Sequence, residues 1–97
     1  AVDLRRNSST FLQYYGVILS EDNLKSFLIP EGFAHGFQTL SEKCELLYLH
    51  TERYKPDYEK GLNPLDPILG IEWPLPISQL SERDKNQKIL DENFLGI

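Results

Sequence analysis

His35 and Tyr48 are the side chains in this sequence best suited to moving a proton, and one hairpin can bring them together. Pro30-Glu31-Gly32 reads as a tight turn, since proline presets φ and glycine tolerates the positive φ that turns require. It delivers His35 to the start of a strand. Ser41-Glu42-Lys43 then separates two strand-like runs, Phe33 to Leu40 and Cys44 to Thr51. With Glu42 and Lys43 at the centre of that turn, His35 opposes His50 and Phe37 opposes Tyr48. Side chains on one face of a strand recur every second residue, so all four rings share a face, and a one-residue slip separates them. A tyrosine beside a histidine is a candidate proton donor. Each residue also has a plainer reading: a histidine satisfied by ordinary hydrogen bonds at a strand end, and a core tyrosine tied to a carbonyl. On residue type alone the plainer reading of Tyr48 is the commoner one.

The elements that must hold this face are mainly β. Phe11 to Leu19 is rich in aromatic and β-branched residues and stops at Ser20-Glu21-Asp22-Asn23, and Lys25 to Ile29 forms a further short strand. Short strands with regular turns predict a sandwich or barrel over about residues 1–51. From Thr51 onward, Pro56, Gly61, Pro64, Pro67, Gly70, Pro74 and Pro76 break any long element, which predicts an extended arm over about 52–97. Within that arm, Ser81-Glu82-Arg83-Asp84 has the form of a helix N-cap and predicts a short helical turn.

Composition narrows the class. Ninety-seven residues, 40% of them hydrophobic, suit part or all of one domain. A net charge of −5 without a basic cluster argues against nucleic acid as a partner. No apolar run reaches the ~20 residues of a membrane span, so no membrane partner and a cytoplasmic location are expected. Cys44 lies in an apolar run and is expected to be buried and inert. The chain has no methionine and opens on strand-like Ala1-Val2-Asp3-Leu4, so it is expected to be a segment of something longer.

Pro30-x-Gly32-x-x-His35 resembles the second half of the cupin signature, which implies a jelly-roll β-sandwich with His35 pointing inward. Cupin metal sites also need a His-x-His segment, which is absent. With His35 and His50 the sole histidines, no three-imidazole site can form within this chain, and no metal is expected.

Four segments, the one around His35 among them, resemble the dTDP-4-dehydrorhamnose 3,5-epimerase family, in family order and at family spacing. They are Val2 to Phe11, Ile29 to Phe37, Asp66 to Pro74 and Leu80 to Asp84. The resemblance covers nearly the whole chain and identifies it with the C-terminal half of such a cupin-type epimerase. It implies that Tyr48 is the general acid and that His35 contacts substrate. It places Tyr54 against the nucleotide base, and Glu59 and Arg83 on the substrate, with Arg83 in place of a more usual lysine. Asp84 falls on the acid that orients the catalytic histidine; its plainer reading is a helix-cap carboxylate. Arg53 and Pro64 stand where many members carry aromatics, which concerns the nucleotide end. The catalytic histidine itself, in an R-G-x-H-x-Q type of segment, has no counterpart in this sequence.

The implied reaction is 3,5-epimerisation of a dTDP-linked 4-keto-6-deoxyhexose, without a cofactor, by a homodimer. The alternatives are a single-centre epimerase or ketoisomerase on the same fold, and a non-catalytic module that binds sugar nucleotide. The segment taken alone is expected to be inactive, for want of the base.

Overall fold

The computed structural model describes residues 1–51 and 60–97. Strand β1, Val2–Asp3, pairs antiparallel with β2, Phe33–Ala34, setting Val2 opposite Ala34 and Asp3 opposite Phe33. The other edge of β1 is also taken. Val2 bridges to Tyr14, Asp3 N–H donates to Gln13 O at 3.0 Å, and Tyr15 N–H donates to Ala1 O at 2.9 Å. β1 is thus the central segment of three, and Val2, a β-branched residue, is buried there.

Asp3 explains why the chain folds back at this point. Its buried carboxylate accepts hydrogen bonds from Arg5 N–H at 3.0 Å, from Arg5 Nε and Nη2 at 2.9 Å each, and from the Ser8 and Thr10 hydroxyls. These bonds close the loop that returns the chain to β1, and they hold the carboxyl well below the usual carboxylate range, the Arg5 guanidinium contributing most. The same guanidinium lies 4.7 Å above the centre of the Phe33 ring, so the cluster also grips β2. Gly32, which precedes β2, has φ of +89°, and a Cβ there would fall 2.6 Å from Arg5 Cγ. Only glycine suits that turn.

The arm is tied back by side chain to backbone bonds. Gln38 Nε2 donates to Leu75 O at 2.9 Å and Gln38 Oε1 accepts from Leu75 N–H at 3.0 Å, so one amide mimics a strand neighbour. The Tyr14 hydroxyl accepts from Glu72 N–H, and Trp73 Nε1 donates to Pro64 O at 3.0 Å. Buried Asp66 accepts from Ile68 N–H within its own turn and from Leu90 N–H at 2.7 Å. The C-terminal residues close on the opening loop: Ile97 N–H donates to Leu4 O, and Phe94 stacks on Phe11 at 6.1 Å.

The β expectation holds in part. Among the described residues regular strand pairing is confined to β1 and β2, and no main-chain hydrogen bond joins 33–40 to 44–51. The runs 11–19, 25–29, 33–40 and 44–51 read as strands because of their side chains, yet a strand persists only where a neighbour takes up its main-chain groups. Among the described residues those neighbours are absent beyond the short central ladder. The same lack of cover corrects the reading of Cys44, which is exposed, with its Sγ on Ser41; those bonds lower the thiol pKa. Among the described residues Val2 and Leu69 are the buried apolar side chains, whereas Leu28, Leu47 and Leu49 are more than four-fifths exposed.

The helical turn is present. Helix α1, Glu82–Lys85, is capped by Ser81, whose Oγ accepts from Asp84 N–H at 3.1 Å. No helix among the described residues is long and apolar enough to cross a membrane.

Candidate functional site

Four rings gather where the hairpin reading placed them. The Tyr48 ring centre lies 6.1 Å from His35, 6.1 Å from Phe37 and 5.8 Å from His50, each pair tilted. Their contact follows from side-chain alternation in two extended segments, since it forms without a hydrogen-bonded ladder. β2 fixes one segment at Phe33–Ala34, immediately before His35, and the Gln38 pairing with Leu75 fixes it again three residues later.

The face is open to solvent: His35 and His50 are exposed and Tyr48 is 45% exposed. Two hollows, of about 610 and 380 Å³, lie elsewhere along the arm and beside β1, and neither is lined by His35 or Tyr48. Partial burial among the rings raises the Tyr48 phenol above its ordinary pKa. Among the described residues its hydroxyl has no hydrogen-bond partner, so the carbonyl tie of a structural tyrosine is missing. A phenol kept protonated, with its hydroxyl uncommitted beside imidazole, can donate a proton to a bound carbon acid.

The other expected residues sit apart from this face or beyond it. Arg83 and Asp84 are neighbours on α1. No hydrogen bond joins Asp84 to His35 or Tyr48 among the described residues. Tyr54 and Glu59 lie outside the described residues. No group of three or more His, Cys, Asp or Glu among the described residues could hold a metal ion.

The cap geometry separates the two roles open to Asp84. The hydrogen bond to Ser81 Oγ comes from the Asp84 main chain, so the carboxylate is not needed for it. Ser81→Ala is therefore expected to cost ~1 kcal/mol through the lost cap, and Asp84→Asn much less. A melting curve and a turnover assay on both variants check this. Asp84→Asn that lowers turnover at unchanged melting temperature marks an orienting carboxylate.

Two positioning features escaped the reading of the sequence. The Asp3 cluster is signalled only by Asp3, Arg5, Ser8 and Thr10 in one short run, which resembles ordinary surface polarity. The Gln38–Leu75 pairing spans 37 residues and carries no local signal.

Residues 1–92 match the family described as dTDP-4-dehydrorhamnose 3,5-epimerase, and the chain belongs to that family. It is 50% identical over 96 residues to the dTDP-4-dehydrorhamnose 3,5-epimerase of Methanothermobacter thermautotrophicus, covering 96% of this chain and 52% of that protein. The protein of the same name from Salmonella typhimurium is 47% identical over 98% of this chain and 52% of its own length. That from Pseudomonas aeruginosa is 48% identical over 91% and 49% respectively. This chain therefore spans about half the length of the curated relatives it matches. No solved structure gives a significant match.

Proposed function

We propose that residues 1–97 form part of a single cupin-type sandwich and supply the proton-donor side of a sugar-nucleotide 3,5-epimerase. The substrate is a dTDP-linked 4-keto-6-deoxyhexose. The observation that carries this reading is the Tyr48 phenol, set against His35 and His50 with its hydroxyl unclaimed by the described residues.

The C4 ketone acidifies the protons at C3 and C5, because the carbanion left behind is delocalised onto the ketone oxygen as an enolate. Inversion needs a base on one face of the sugar and an acid on the other. Tyr48 is the acid. His35 contacts the sugar, Arg83 adds positive charge toward the substrate, and Glu59 holds it by a further contact. Tyr54 stacks on the thymine. The base is a histidine contributed by the other half of the family fold, and Asp84 holds it in the useful tautomer. No cofactor takes part.

The open ring face supports a second element of the proposal. A sugar nucleotide must be enclosed to exclude water from the enolate, and on this chain the ring face is open to solvent. The enclosing wall comes from the upstream half of the family fold, within a homodimer of cytoplasmic epimerase subunits.

The test is to supply the 4-keto sugar nucleotide to this chain alone, and to the assembled epimerase in which it is joined to the upstream half. Turnover is expected only in the second case. Unaided turnover by the 97 residues rejects the placement of the base.

A further inference from the structure

We propose that His50 is a positioning residue for Tyr48 that returns the proton the phenol gives up, a role that rests on Tyr48 being the donor. A tyrosine that has protonated a carbanion is left as phenolate and cannot serve again until it is reprotonated. His50 lies against it, two residues on in the same extended segment, with ring centres 5.8 Å apart and planes inclined by 32°. Its imidazole is exposed in this chain and can take its proton back from water once the enclosed face opens for product release.

The proton balance closes without any other reagent. The Tyr48 O–H bond breaks as the new C–H bond forms on the sugar. The phenolate then takes the proton from the His50 imidazolium, directly or across one water, and neutral His50 recovers a proton from solvent. The direction is downhill, since a phenolate is a stronger base than an imidazole. The raised Tyr48 pKa steepens that slope. Among the described residues the rings packed against Tyr48 are His35 and Phe37 from the facing segment and His50 from its own. His35 and His50 are thus the titratable neighbours of the phenol. Alternation turns Glu45 to the opposite face, away from the group. With His35 committed to the sugar, His50 is left for the return path.

The alternative is that His50 only packs against the tyrosine. His50→Phe preserves a ring there and removes the proton, and His50→Gln is the second variant should the first disturb folding. Both are assayed in the assembled epimerase from mildly acidic to alkaline pH, with and without added imidazole, beside Tyr48→Phe. The expected result is a fall in turnover of about tenfold, less than the ~10²-fold or more for losing the acid itself. The loss is largest at mildly acidic pH, shrinks toward alkaline pH as the imidazolium form is lost, and is partly reversed by imidazole. Unchanged turnover overturns the proposal. So does a loss that is uniform across pH and indifferent to imidazole, which marks packing alone. If Tyr48→Phe keeps full turnover, the donor assignment itself has failed, and the three variants distinguish that failure from the failure of His50.

Discussion

Tyr48→Phe is expected to lower turnover of the assembled epimerase by about 10²- to 10⁴-fold, the usual worth of a positioned general acid. Its melting temperature should scarcely move. Phenylalanine keeps the ring that touches His35, Phe37 and His50, and the lost hydroxyl leaves no partner stranded among the described residues. A structural tyrosine gives the opposite pattern: stability falls and turnover follows it. The pH profile adds a second check. Because partial burial raises the Tyr48 pKa, the phenol stays protonated through neutrality, and the donor fails on the alkaline side. An alkaline limb in wild-type turnover, missing from the residual activity of Tyr48→Phe, is the expected signature.

Asp3→Asn is expected to be the most damaging change to stability, with Tm lower by about 5 °C or more, because a buried acceptor loses its charge-assisted hydrogen bonds. Asparagine presents one oxygen and an NH₂ group where Arg5, Ser8 and Thr10 all donate. The loop after β1 then loses its anchor, and the Arg5 guanidinium its hold on Phe33, two residues before His35. Turnover should therefore fall together with stability, which separates this variant from Tyr48→Phe. The same carboxylate sets an acid limit. Its folded pKa lies below the unfolded value of about 3.9, so its stabilisation is complete above that value. It is lost as pH falls through the range below about 4 toward the folded pKa. Wild-type Tm should drop with acid in that window, and Asp3→Asn should drop less.

The ring face was legible in the sequence because it depends on alternation, and alternation survives wherever the chain is extended. His35, Phe37, Tyr48 and His50 came together on that rule alone. The Ser81 cap was legible for a similar reason: an N-cap is chemistry among adjacent residues. The long ladders were not. Phe11 to Leu19 and Cys44 to Thr51 carry strand-forming side chains, but pairing is a property of two segments and needs a neighbour at the right distance. Cys44 was misread by the same route, since an apolar run is buried only if something covers it. Asp3 and Asp66 went unnoticed as the most buried polar side chains among the described residues, because burial of an acid is decided by the donors that converge on it.

On the proposed function, this chain donates the proton in an epimerisation at two carbons next to a ketone. The direct measurement is proton NMR of the dTDP-linked 4-keto-6-deoxyhexose in D₂O with the assembled epimerase, following C3 and C5. Loss of both proton signals with inversion at both centres, dependent on Tyr48 and absent with the 97-residue chain alone, is the predicted result. Exchange with inversion that proceeds undiminished in Tyr48→Phe, or no exchange at either carbon in the assembled wild type, contradicts it.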